Sequence, residues 1–169
     1  VRIMAKIRAK REAEMKQQFA KVEDRRMKGH GWYQEVKEDE FLPSVTKSYN
    51  VVCHFFHADF PRCKIIDKHM SILAQKYHET KFIMINAAKA PFFVQKLQIQ
   101  TLPTVVYFRN GIAVERSIGF EDFGLRDDFK TEAFEKVIRK YKLIPKAEED
   151  SDEEEELENL RFNPIRLTE

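Results

Sequence analysis

The chain has 169 residues, 43% apolar and 12% aromatic, enough for one core of ordinary size with appendages left over. Its 30 Lys and Arg nearly cancel its 28 Asp and Glu, but the balance is uneven: Val1 to Lys28 holds ten basic and four acidic residues, and Glu148 to Glu158 holds nine acidic and none basic. No stretch approaches the roughly 18 apolar residues of a membrane span and the N-terminus has no apolar signal core, so a soluble intracellular protein without a membrane partner is expected.

Val1 to Lys28 has no Pro or Gly before Gly29-His30-Gly31, so it reads as one helix with a glycine stop. Its apolar positions are sparse: Ile3 and Ile7, then Met15, Phe19 and Val22. A stripe this narrow on a basic helix cannot anchor a core; it packs on a partner or stays solvated. Lys37 to Ser48, with Phe41 and Val45 four apart, suggests a short helix despite Pro43.

Val51 to Phe56 ("VVCHFF") is apolar, β-branched and aromatic, as a strand buried on both faces requires. From Cys63 the period changes. Ile66, Met70, Leu73 and Tyr77 fall on one helical face over about four turns. Lys81 to Ala87 reads as a second buried strand, and Pro91 opens a helix carrying Phe93 and Leu97.

Val105 to Phe108 and Ala113 to Ile118 flank Asn110-Gly111, a strong hairpin signal. Thr131 to Tyr141 closes the domain as a helix with Phe134, Val137, Ile138 and Tyr141 inward. Strand and helix alternation in the first half requires parallel pairing, and the late hairpin adds an antiparallel edge. The expected fold is therefore a three-layer α/β domain with a mixed central sheet. Domain boundaries fall at 1–31 for the basic helix, 32–146 for the folded domain and 147–169 for an acidic tail expected to be disordered.

Cys53 and Cys63 are ten residues apart and form no CxxC, which suggests neither a disulfide framework nor a cysteine zinc site. The strand pleat points Cys53 and His54 to opposite faces, and no pair of histidines has i, i+4 spacing, so no metal is expected. No GxGxxG or P-loop is present and glycine is too rare for a phosphate cradle; no cofactor is expected.

The strand Val51 to Phe56, the Cys63-Lys64 helix start, Leu102-Pro103-Thr104, the Asn110-Gly111 hairpin and Gly119 together resemble the thioredoxin family. The resemblance implies a thioredoxin-like fold, a cis Leu102-Pro103 bond and a partly buried Cys63 in the place of the second active-site cysteine. Phe60 then stands where the attacking cysteine belongs, with Pro61 and Arg62 between. Thiol–disulfide exchange needs an attacking thiolate and a resolving thiol, and Phe60 supplies neither. The family's buried aspartate falls at His54, for which a hydrogen-bonded core histidine is the plain reading. Arg62, Lys64 and the helix start favour a thiolate at Cys63. Pro103, Leu102, Phe60, Phe56 and Phe120 are expected to form either an apolar contact shelf or a merely structural turn.

A closer resemblance covers about Arg25 to Phe134. Lys28-Gly29-His30-Gly31, "RCKIIDKH" from Arg62, "KAPFFVQKLQIQTLPT" from Lys89, "GFEDFG" from Gly119 and Asp127-Asp128-Phe129 are similar to the phosducin-like protein three family, also called the thioredoxin domain-containing protein nine family. In that group the first active-site cysteine is absent too. The resemblance implies a non-enzymatic cytoplasmic cochaperone of the chaperonin ring that folds actin and tubulin, with nucleus and centrosome as further locations and a monomer when free. Other phosducins clamp G-protein βγ through an N-terminal extension; because the chain opens in the basic helix, that role is not expected here.

On this reading Lys10, Arg11, Met15, Phe19, Lys21, Val22, Phe60, Leu102 and Phe120 are the partner-binding candidates. The alternative is a one-cysteine oxidoreductase or redox-regulated adaptor that uses Cys63. Ser151, followed by acidic residues, is a candidate phosphorylation site. A nucleic-acid partner is not expected, because the basic helix lacks stacking aromatics beyond Phe19 and the acidic tail would compete for it.

Overall fold

The computed structural model describes residues 2–145. The acidic tail and Ser151 lie outside them. Ten main elements follow one another: α1 (Arg2–Met27), β1 (Gln34–Val36), α2 (Glu38–Thr46), β2 (Asn50–Phe56), α3 (Cys63–Lys76), β3 (Lys81–Asn86), α4 (Pro91–Lys96), β4 (Thr104–Arg109), β5 (Ile112–Ile118) and α5 (Thr131–Lys140).

The sheet order is β1-β3-β2-β4-β5. β1 and β2 run parallel to β3, whereas β4 is antiparallel to both β2 and β5. β2 lies at the centre with Val51 to Phe55 wholly buried, which explains why its sequence shows no polar alternation. Asn110 and Gly111 both take positive φ, 52° and 78°, as the tight turn between β4 and β5 requires.

The sheet separates two apolar layers. On one side Val52, Val105 and Tyr107 pack under Ile66, Met70 and Leu73 of α3 and Phe134, Val137 and Ile138 of α5. On the other, Val51, Cys53, Phe55, Ile83 and Val106 pack under Phe41 and Val45 of α2, with Phe93 and Val94 of α4 at the margin. Helices on both faces make the mixed three-layer domain that the alternation implies.

One strand is absent from the sequence expectation. β1 has three residues, too few for a period, and it is defined by its pairing of Gln34, Glu35 and Val36 with Ile83, Met84 and Ile85. Leu97 lies just past the end of α4 as its C-cap.

α1 buries none of its residues. Its end is closed by a Schellman arrangement, with the Gly29 N–H bonded to the Arg26 carbonyl at 3.1 Å and the His30 N–H to that of Arg25 at 2.9 Å. Gly29 takes φ 92°, which a side chain would resist. Met15, Phe19 and Val22 are 70%, 68% and 52% exposed, so the stripe has no partner within the domain.

Candidate functional site

The site sits where β2 ends. After Phe56 the segment His57 to Arg62 leads into α3, and the Cys63 N–H donates to the Phe60 carbonyl at 3.1 Å. The Asp59 N–H donates to His57 Nδ1 at 3.0 Å, and the rings of His57 and Phe60 meet edge to face at 5.9 Å. Phe60 is thereby held at the surface, 46% exposed.

Cys63 is 3% exposed, and both cysteines carry free thiols. Burial is the largest influence on Cys63 and raises its pKa; Asp67 raises it further, while hydrogen bonding from the His57 and Cys63 backbone pulls it back only in part. Desolvation outweighs the helix terminus and the flanking Arg62 and Lys64, so Cys63 is the buried thiol of the family's second cysteine and not the thiolate that the helix start alone would favour. Cys53 is wholly buried and burial alone holds its thiol neutral.

Beneath Cys63 lies a polar network that the sequence reading missed. Tyr33 Oη donates to Asp67 Oδ1 at 2.6 Å, and His54 Nδ1 lies 2.9 Å from both Asp67 Oδ1 and Tyr33 Oη. An ionised Asp67 accepts from both neighbours, which puts the neutral imidazole's proton on Nδ1. Nε2 is then an acceptor, buried and without a hydrogen-bond partner among the described residues. The plain reading of His54 as a satisfied core histidine thus holds for one ring nitrogen only. Burial lowers its pKa, and the Asp67 bond offsets this in part. The same burial, with Asp67 next to it, keeps Tyr33 protonated far above its ordinary range.

Asp67 could have been found from sequence, since it lies four residues after Cys63 and so shares its helical face. Tyr33 could not, because it precedes the three-residue strand β1 and only the folded chain brings it to α3.

The Leu102-Pro103 bond is cis. Phe60 and Leu102 line a groove of about 300 Å³ with Val94 and Ile99, so part of the apolar shelf exists. Phe56 is half-buried and Pro103 buried. Phe120 is not part of that groove: it is 4% exposed, packed on Phe129 and covered by the Arg62 guanidinium 5.5 Å above its ring. Arg62 also pairs with Asp127 at 3.2 Å. Lys10, Arg11 and Lys21 lie exposed on α1, away from the shelf residues in sequence and outside the core. Among the described residues no group of three His, Cys, Asp or Glu side chains is placed to hold a metal ion, and no helix is long and apolar enough to cross a membrane.

Solved structures with the same architecture define the class. Thioredoxin f2 of Chlamydomonas reinhardtii superposes with a TM-score of 0.56 at 21% identity, covering 68% of this chain and 99% of that one; the domain is a thioredoxin fold. The family model described as Thioredoxin matches residues 33–131. Phosducin-like protein 3 of Dictyostelium discoideum is 50% identical over 129 residues, 76% of this chain and 70% of that protein. Thioredoxin domain-containing protein PLP3B of Arabidopsis thaliana is 45% identical over 152 residues, 90% of this chain. The chain spans 66% of that relative's length. It belongs to the thioredoxin family, on the phosducin-like protein three branch.

Proposed function

We propose that the chain is a binding protein and not a thiol catalyst: a cochaperone that engages the cytosolic chaperonin ring, modulates its ATP cycle and affects the folding of actin and tubulin. The observation that carries the non-catalytic part is the pair at the start of α3. Phe60 occupies the attacking position, and the remaining thiol, Cys63, is buried with its pKa raised. Exchange requires a thiolate within reach of a disulfide sulfur, and neither position offers one. Support for the cochaperone part comes from the likeness to Phosducin-like protein 3.

The binding surface on this reading combines α1, basic and wholly outside the core, with the Phe60 and Leu102 groove. Charge on α1 sets encounter rate and orientation more than final affinity. The test is binding of the full chain to purified chaperonin, with chaperonin ATP turnover measured alongside. Lys10→Glu, Arg11→Glu and Lys21→Glu together should weaken binding by tenfold or more at low salt. An absence of stoichiometric binding by the unaltered chain would overturn the assignment.

A further inference from the structure

The end of α1 and the loop after α3 enclose a second groove, of about 640 Å³, lined by Val22, Arg25, Arg26, His30, Trp32 and His78. Its two walls are tied together. His30 Nδ1 donates to the His78 carbonyl at 2.7 Å, which leaves Nε2 to accept from the Ser48 hydroxyl at 2.7 Å. Gly31, at φ 97°, gives the His78 ring room, since a Cβ there would meet the ring at 3.1 Å.

The groove is cationic and aromatic. Trp32 is 61% exposed although it is the chain's one tryptophan. Among the described residues no carboxylate lies in ion-pair range of Arg25 or Arg26, while Asp24 pairs with Lys28 at 2.9 Å. Guanidinium groups beside an open indole suit an acidic peptide.

The same loop receives the end of the described chain. Thr80 Oγ1 donates to the Leu143 carbonyl. Arg139 donates to the Tyr77 hydroxyl at 3.2 Å and to the Pro145 carbonyl at 3.3 Å. Pro145 therefore leaves the domain beside Tyr77 to Thr80, the loop that carries His78. Three residues later the sequence enters Glu148 to Glu158, with its nine carboxylates. Eleven residues in extended form reach about 35 Å, long enough to line such a groove.

We propose that Glu148 to Glu158 docks in the Arg25, Arg26 and Trp32 groove of its own chain, and there competes with any acidic partner surface that approaches the basic end of α1. A short tether holds the segment at an effective concentration of millimolar order, so individually weak ion pairs suffice. The contact is screened at high salt, where the Debye length falls to about 3 Å at 1 M. Nothing in this step depends on the identity of the external partner.

Trp32 is its own reporter. Acrylamide, an uncharged quencher, is titrated into the full chain at 50 mM and 1 M NaCl, beside a full-length variant in which all seven Glu of the segment are changed to Gln and Asp150 and Asp152 to Asn. At low salt the neutralised variant should show a quenching constant at least twofold higher, and 1 M salt should raise the unaltered chain to match it. A peptide of the Glu148 to Glu158 sequence should restore protection to the neutralised variant, but not after Arg25→Glu and Arg26→Glu. Equal quenching of the two full-length proteins at low salt overturns the proposal. Protection that grows with protein concentration assigns the groove to a second copy and overturns it equally.

Discussion

The N–H of Cys63 donates to the carbonyl of Phe60 at 3.1 Å, so the two positions where thioredoxins carry their cysteines are joined by one backbone turn. The turn is present with Phe60 in the place of the first of those cysteines. Phe60→Cys should therefore form a disulfide with Cys63 under mild oxidation, because an i, i+3 pair at a helix start matches disulfide reach. Thiol titration should fall from one to no accessible groups on oxidation, and insulin reduction should rise from background to a measurable rate. An accessible thiol persisting in the oxidised variant would falsify the claim that the scaffold is intact here.

His54 and Asp67 should be energetically coupled. Asp67→Ala removes the carboxylate that accepts from His54 Nδ1 at 2.9 Å and Tyr33 Oη at 2.6 Å; Tyr33 Oη and His54 Nδ1, 2.9 Å apart, can then satisfy one another, so the cost should be about 1 kcal/mol. Urea unfolding of the single and double variants with His54→Leu should give a non-additive coupling of about 0.5–2 kcal/mol. Additive losses would mean that the contact carries no net stability.

Stability should fall as the solution is acidified below pH 6.5. His54, His30 and His69 all have pKa values lowered below 6.5, burial being the largest cause for each. Between each folded-state value and 6.5 the unfolded chain binds more protons than the folded one, so unfolding free energy rises with pH in that window and levels off above it. Melting temperatures measured from pH 5 to 8 should climb and then plateau near neutrality. The slope should flatten in His54→Asn, and a flat profile in the unaltered chain would contradict neutral burial.

Most of the fold was legible because strands and helices here announce their burial. Val51 to Phe56 is apolar without interruption because β2 is covered on both faces, and Ile66, Met70 and Leu73 repeat at helical spacing because α3 covers one of those faces. The site was legible where it depended on local order, as with Phe60 and Cys63 flanking a helix start. It was not legible where it depended on topology. Tyr33 reaches Asp67 across 34 residues of sequence, and nothing local to "GFEDF" shows that Arg62 and Phe129 enclose Phe120.

The contrast between the core and α1 gives the last prediction. Phe41 meets the rings of Phe93, Phe108 and Phe55 with centroids 4.4, 5.8 and 6.0 Å away, and it is 2% exposed. Phe41→Ala opens a cavity among three aromatic neighbours and should cost about 3–5 kcal/mol in urea unfolding. Phe19 is as apolar but 68% exposed on a helix with no buried residue. Phe19→Ala should change unfolding by no more than about 0.5 kcal/mol, while weakening chaperonin binding severalfold if α1 is a docking element. A large loss of stability in Phe19→Ala would place α1 within the folding unit; an unchanged affinity would remove Phe19 from the interface.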